Sequence, residues 1–236
     1  MDINSKSVRV RRLIVMSVLW VCAGLFAQHL CATDTSSSPP QKQMILVLGD
    51  SLAAGYGLDP DESFPALLQE KIKASGLPHK VVNAGVSGDT TAGGLGRLDW
   101  QLKQRVDVLV LELGGNDGLR GIPPATTKDN LQAIINRTRK AYPDVRIVIA
   151  GMQMPPNLGP EYVQAFKDIF PSLAKQNHAA LVPFLLEGVG GRAELNQSDR
   201  IHPTAEGQKV VAENVWRVLK PLLLQRGESP KSRVSS

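Results

Sequence analysis

The chain has 236 residues, of which 42% are hydrophobic and 21% are charged, and its formal net charge is +5. This is an ordinary globular composition, long enough to build one sizeable hydrophobic core. The excess positive charge does not form the basic face or stripe that nucleic-acid binding requires, so no nucleic-acid partner is expected.

The first 32 residues have the pattern of a secretory signal peptide. Four basic residues precede the apolar run Leu13–Ala27, and the small residues Ala27 and Ala32 offer two alternative cleavage sites. This run falls short of the roughly 20 residues that a membrane span needs, although an uncleaved anchor is the alternative. Removing residues 1–32 leaves 23 basic and 21 acidic residues, a formal charge of +2. We therefore expect a periplasmic or secreted protein with no stable membrane span after cleavage.

Both cysteines, Cys22 and Cys31, also lie in this leader. The mature protein is therefore expected to contain no disulfide, no thiolate nucleophile and no metal bound by cysteine. Lipid attachment at Cys31 is an alternative, but the residues before it lack the small side chains that such a site needs.

A single domain is predicted between a linker and a tail. Residues 33–43 are polar and rich in Pro and Ser, which is typical of a linker, and residues 226–236 are predicted to be disordered. The domain itself is predicted at residues 44–225.

Strands and helices are predicted to alternate along this domain. The strands are Met44–Leu48, Lys80–Asn83, Val106–Leu113, Arg146–Ala150 and Ala180–Pro183. The helices are Ser63–Ser75, Thr91–Arg105, Thr127–Ala141, Glu161–Gln176 and about Thr204 to Leu224. The first, third and fourth strands are almost continuously apolar, as in a parallel sheet that is buried on both faces. This alternation predicts an α/β fold with right-handed crossovers and a doubly wound sheet of flavodoxin-like order.

Polar clusters follow the predicted strands, where ligands of such sheets bind. They are Gly49–Ser51 after the first strand, Asn83–Asp89 after the second, Gly114–Asp117 after the third, and Asp199–His202 just before the last helix. These four segments are therefore expected to converge on one edge of the sheet.

Ser51 is the candidate nucleophile, and it needs a base because a serine hydroxyl is a weak nucleophile. His202 has Asp199 three residues before it, close enough in a turn to bond Nδ1 and leave Nε2 facing the serine. The alternative is that Asp199 caps the last helix while His202 is exposed. The other histidines lie in the leader or are expected at the surface: His29, His79 and His178.

Three groups are candidates for an oxyanion hole, which needs hydrogen-bond donors aimed at the developing charge. They are the backbone N–H of Ser51, the backbone of Gly88 and the side-chain amide of Asn116. A plain turn at Gly88 and an Asx-turn at Asn116 are the alternatives. Asp50 is adjacent to Ser51, so its side chain is expected to point away from the serine and to have a structural role.

These clusters resemble the four signature blocks of the SGNH (GDSL) hydrolase family. The blocks are GDSLAAGYG, NAGVSGDT, LELGGND and DRIHP, in the family's order and across nearly the whole predicted domain. The resemblance is strongest to the periplasmic thioesterase I, lysophospholipase and arylesterase group. It implies these roles: nucleophile Ser51, general base His202, orienting partner Asp199, and an oxyanion hole of Ser51, Gly88 and Asn116.

The resemblance also implies a three-layer αβα fold with a five-stranded parallel sheet, no metal and no cofactor. The implied substrates are small-molecule or lipid acyl esters (aryl esters, acyl-thioesters and lysophospholipids) hydrolysed by a protein expected to be a monomer. The loops Leu119–Pro124 and Met152–Leu158 are expected to contact the acyl chain, with plain loop packing as the alternative.

Two other functions are compatible with the same fold. The first is a carbohydrate or peptidoglycan O-acetylesterase, which needs an aromatic sugar-binding surface, whereas this chain has only three Trp and three Tyr residues. The second is a non-catalytic binding module, which would require a substituted triad.

Overall fold

The computed structural model describes residues 42–225. The predicted signal peptide at residues 1–32, the predicted tail at residues 226–236 and most of the predicted linker lie outside the described residues. The predicted domain boundary at residue 44 is close to the first strand, which begins at Gln43.

Five parallel strands form a single sheet. They are β1 (Gln43–Gly49), β2 (His79–Gly85), β3 (Val108–Glu112), β4 (Arg146–Ala150) and β5 (Ala180–Val182). Their order across the sheet is β2-β1-β3-β4-β5, and every neighbouring pair is parallel. The predicted α/β fold with a flavodoxin-like sheet is therefore confirmed.

Seven α-helices lie between and after these strands within residues 42–225. They are α1 (Ser51–Ala54), α2 (Phe64–Ala74), α3 (Thr91–Gln101), α4 (Gly115–Leu119), α5 (Pro124–Ala141), α6 (Pro160–Gln176) and α7 (Ala205–Leu224). Helix α2 packs against α7, while α3 packs against α5 and α5 against α6. Because right-handed crossovers in this strand order send the two groups to opposite sides, the sheet is the middle of three layers. No helix within the described range is long and apolar enough to cross a membrane.

The central strands carry the hydrophobic core. All five residues of β3 and four of the five in β4 are buried, and so is β1 from Ile45 onward. The edge strands β2 and β5 are only partly buried. Continuous apolar sequence therefore identified the strands that are covered on both faces.

Several element boundaries differ from the predicted ones. Helix α3 ends at Gln101 instead of Arg105, and the chain beyond it is fixed by the Tyr142 hydroxyl, which donates to the carbonyl of Leu102 at 2.7 Å. Helix α5 starts at Pro124, three residues before the predicted start, because proline fits the first turn of a helix. Helix α4 has five residues and was not predicted, since it is too short to show a helical period.

The prediction that His79 is exposed is wrong. It is the first residue of β2, its side chain points into the fold, and only 5% of it is exposed. Neither ring nitrogen has a hydrogen-bond partner among the described residues. Burial lowers the pKa of His79, and the nearby Arg146 lowers it further, so this ring favours the neutral form. His178, by contrast, is exposed as predicted.

Candidate active site

Ser51 lies on a sharp turn between a strand and a helix. It is the first residue of α1, directly beyond the carboxyl end of β1. The Asp50 carboxylate caps this helix by accepting a hydrogen bond from the backbone N–H of Leu52 at 3.0 Å. The backbone N–H of Asp50 donates to Oε2 of Glu112 at 3.1 Å, at the end of β3. The turn is tight enough that a Cβ at Gly49 would lie 2.4 Å from the same oxygen.

Asp50 has the structural role that its position predicts. It is almost fully buried, and this burial raises its pKa to about 6, although hydrogen bonds from Leu52 and Asn116 oppose the shift. Its Oδ2 accepts a hydrogen bond from Nδ2 of Asn116 at 3.2 Å. Asp50 therefore connects the turn that carries Ser51 to the segment that carries Asn116.

His202 connects Ser51 to Asp199. Its Nε2 is 2.9 Å from Oγ of Ser51, and its Nδ1 is 2.6 Å from Oδ2 of Asp199. The other carboxylate oxygen of Asp199 accepts from the backbone N–H groups of Ile201 and His202. These hydrogen bonds, with that from the imidazole as the largest cause, lower the pKa of Asp199 to about 2, so the carboxylate is ionised at neutral pH.

The alternative in which Asp199 caps the last helix is wrong. Thr204 is the N-cap of α7, and its side chain accepts from the backbone N–H of Gly207. Arg200 adopts a left-handed conformation with a φ of 61°, which turns the loop so that Asp199 faces the imidazole of His202.

Gly88 and Asn116 lie just beyond the carboxyl ends of β2 and β3, the two strands that flank β1 in the sheet. Gly88 has a φ of 82°, which suits glycine in the turn after β2. Nδ2 of Asn116 donates to Asp50, as described above, and to the backbone carbonyl of Asp89 at 3.0 Å. The amide of Asn116 thus joins the segments that follow β1, β2 and β3.

The two acidic residues beside these donors stabilise loops. Asp89 accepts a hydrogen bond from Nε of Arg97 at 2.5 Å. Asp117 is fully buried and accepts from the backbone N–H of Thr91 at 2.8 Å, at the start of α3. Within residues 42–225, no group of three or more His, Cys, Asp or Glu side chains is arranged to hold a metal ion.

The apolar loop residues expected to contact an acyl chain divide into two groups. Met152 and Met154 are buried in the core, where Met154 fills the space that a Cβ at Gly118 would occupy. The expectation of substrate contact is therefore wrong for these two residues, and loop packing explains them. Leu119 is 49% exposed and remains available to a ligand.

Two residues near the site were missed by sequence reasoning. Glu112 is a buried carboxyl group at the end of an apolar strand. A charged residue in such an apolar run is a sequence feature that indicates a buried polar group with a specific role. The ring of Tyr56 lies 4.5 Å from the ring of His202, centroid to centroid, and no sequence period indicates that contact.

Comparisons with known proteins all match this domain to hydrolases of one kind. The profile of the GDSL-like lipase/acylhydrolase family matches residues 47–210. Esterase TesA of Pseudomonas aeruginosa is 46% identical over 182 residues, which are 77% of this chain and 90% of that protein. An arylesterase of Vibrio mimicus is 39% identical over 185 residues, which are 78% of this chain and 92% of that protein.

A third relative and a solved structure extend this comparison. The thioesterase 1/protease 1/lysophospholipase L1 of Escherichia coli K12 is 40% identical over 180 residues, which are 76% of this chain and 84% of that protein. The crystal structure of a TesA superposes with a TM-score of 0.73 at 46% identity, covering 76% of this chain and 99% of that one.

Proposed function

The chain belongs to the GDSL-like lipase/acylhydrolase family and is an esterase, and from this premise we propose that it is a periplasmic serine hydrolase of aryl esters, acyl-thioesters and lysophospholipids. In this proposal Ser51, His202 and Asp199 form the catalytic triad. The observation that carries it is the continuous line of hydrogen bonds from Oγ of Ser51 through His202 to Asp199, with lengths of 2.9 and 2.6 Å.

Acylation begins when Oγ of Ser51 attacks the carbonyl carbon of the substrate and Nε2 of His202 takes the hydroxyl proton. Asp199 accepts the hydrogen bond from Nδ1, which keeps Nε2 free to act as the base and stabilises the imidazolium that forms. The bond from carbon to the leaving oxygen or sulfur then breaks, and His202 returns its proton to the leaving group. The products of this step are the acyl-enzyme and the free alcohol or thiol.

The negative charge on the former carbonyl oxygen requires donors that are already in position. We assign this role to the backbone N–H groups of Ser51 and Gly88 and to Nδ2 of Asn116. The Ser51 N–H is in the first turn of α1, where backbone donors have no acceptor within the helix itself. Water then attacks the acyl-enzyme with His202 as the base, which releases the carboxylic acid and regenerates Ser51.

Ser51→Ala tests this proposal directly. We expect it to abolish hydrolysis of p-nitrophenyl butyrate and labelling by a fluorophosphonate probe, with the circular dichroism spectrum unchanged.

The His202→Ala variant should retain only a residual rate, roughly 10³–10⁴-fold above the uncatalysed reaction in water, which binding and the oxyanion hole provide. Ser75→Ala, an exposed serine at the end of α2, is the matched control and should be labelled at Ser51 as in the wild type. Full activity in Ser51→Ala would refute the triad.

A further inference from the structure

Tyr56 presents an aromatic ring beside the proposed general base. The rings of Tyr56 and His202 have their centroids 4.5 Å apart and their planes inclined at 38°. One side of the tyrosine thus faces the imidazole, yet 51% of the residue is exposed to solvent. A large apolar surface that is left open at a catalytic centre is available to a substrate.

The backbone of Tyr56 is fixed to both segments of the triad. Its N–H donates to the carbonyl of Ser51 at 3.1 Å, and its carbonyl accepts from Nε2 of Gln197 at 2.7 Å. Gln197 in turn donates from its backbone N–H to the carbonyl of His202 at 2.7 Å. The backbone that carries the ring is therefore held in place relative to the nucleophile and the base before any ligand binds.

Glycines on either side make this position possible. Gly55 and Gly57 have φ values of 73° and 76°, a conformation that glycine adopts without strain. A Cβ at Gly57 would lie 2.6 Å from Oε1 of Gln197, so a larger residue would push apart the contact that holds Tyr56. The turn is thus built to bring the tyrosine close to the loop of His202.

The proton transfer from His202 determines which part of the substrate lies beside Tyr56. His202 must deliver its proton from Nε2 to the leaving oxygen, so the leaving group has to lie next to this imidazole in the step that breaks the ester bond. The oxygen of the carbonyl points instead to the donors near Asn116. The exposed ring next to His202 is therefore on the side of the leaving group.

We propose that Tyr56 binds the leaving group of the ester, and that stacking on its ring favours aromatic alcohols over aliphatic ones. This inference rests on the proposed serine esterase function and assigns a specificity residue to its acylation step. Offset or tilted aromatic pairs are favourable beyond the area they bury, which suits a planar phenol more than an alkyl alcohol. Deacylation should not depend on this contact, since the alcohol has left by then.

The test compares two activated esters of the same acid, phenyl butyrate and trifluoroethyl butyrate, by titration of the released acid. We expect Tyr56→Leu to lower the ratio of kcat/KM for the phenyl ester to that for the trifluoroethyl ester by about tenfold. Tyr56→Phe should keep the wild-type ratio. Leu119→Ala, on the Asn116 side of the site, is the matched control and should also leave the ratio unchanged.

An equal loss for both esters in Tyr56→Leu would overturn the proposal, because it would mean that Tyr56 only positions His202. An unchanged ratio would overturn it too. If the wild type hydrolyses neither ester, the proposed function fails, and the leaving-group site is decided by ligand-observed NMR with phenol. Phenol binding that is lost in Tyr56→Leu supports the site, and equal binding to both proteins refutes it.

Discussion

The protonation state of the Glu112 carboxyl group depends on its burial in the folded protein. It is 1% exposed, and burial raises its pKa well above the ordinary value, with the negative Asp50 raising it further. Hydrogen bonds from the backbone N–H groups of Asp50 and Ala53 oppose this shift. The folded protein therefore keeps a proton on Glu112 at pH values where the unfolded chain has released it.

We expect the stability of the Glu112→Gln variant to increase relative to that of the wild type as the pH rises. The folded pKa lies above the unfolded one, so wild-type stability falls with increasing pH between these two values, by up to about 1.4 kcal/mol per pH unit. Glutamine has no proton to lose, so the difference in unfolding free energy, variant minus wild type, should grow from pH 4 to pH 7. Urea unfolding at several pH values measures it.

Glu70→Gln is the control for this titration, because Glu70 lies at the surface with 69% of its side chain exposed. Its difference from the wild type should show no such slope. A flat difference for Glu112→Gln would mean that Glu112 is ionised in the folded protein.

Single residues were predictable where their chemistry is local. Asp199 and His202 are three positions apart, so one turn brings them together and the sequence shows the pair. Their contact with Ser51, 151 positions away, follows only from the strand order. The burial of His79 could not be predicted, since the inward face of an edge strand depends on which helix covers it.

Two of the three glycines in helix α3, Gly94 and Gly96, have opposite surroundings, so substitutions at these two positions test how the helix packs. A Cβ at Gly94 would lie 2.3 Å from Cδ1 of the buried Leu113, whereas one at Gly96 would meet nothing within 4 Å. We expect Gly94→Ala to lower the unfolding free energy by about 1–3 kcal/mol, as overpacking does. Gly96→Ala should raise it by roughly 0.5–1 kcal/mol, because alanine favours helix.

Thermal or urea unfolding of the two variants distinguishes these effects, and each is the control for the other. Equal changes in both would show that helix propensity outweighs the contact with Leu113.

Elements could be predicted in proportion to their length and burial. The apolar runs of β1, β3 and β4 revealed buried parallel strands, and the bounds of β4 agree residue for residue with the predicted ones. Strand β5 has only three residues, yet its predicted bounds differ by one residue at one end. Helices α1 and α4 have four and five residues and were not predicted, because they are too short to show a helical period. Helix α1 depends instead on local capping by Asp50 and on the long-range hydrogen bond from the Asp50 N–H to Glu112.

At the scale of the whole molecule, the parallel sheet explains why four separated motifs could be assigned to one site. All strands point the same way, so everything that follows a strand lies at the same edge. What could not be predicted is how these loops touch each other, including the contacts of Tyr56 with His202 and of Asn116 with Asp50. Those contacts depend on loop conformations with positive φ that no apolar pattern encodes.

The predicted leader gives a further expectation for the whole chain. Expressed with its complete sequence in a proteobacterial host, the protein should be recovered from the periplasmic fraction with an N-terminus at residue 28 or 33. Cleavage at either site removes most of the net positive charge and Cys22, and cleavage after Ala32 also removes Cys31. N-terminal sequencing measures the start, and recovery of membrane-bound protein that still begins at Met1 would show an uncleaved anchor instead.

The two hydrogen bonds of the Asn116 amide affect how the site discriminates between species along the reaction. Both acceptors, the carboxylate of Asp50 and the carbonyl of Asp89, belong to the protein itself. A neutral ester oxygen is a weaker acceptor than a carboxylate and competes poorly for this donor, whereas an oxyanion competes well. On the proposed assignment, the internal bond to Asp50 therefore disfavours tight binding of the ground state and leaves the donor to the transition state, where binding accelerates the reaction.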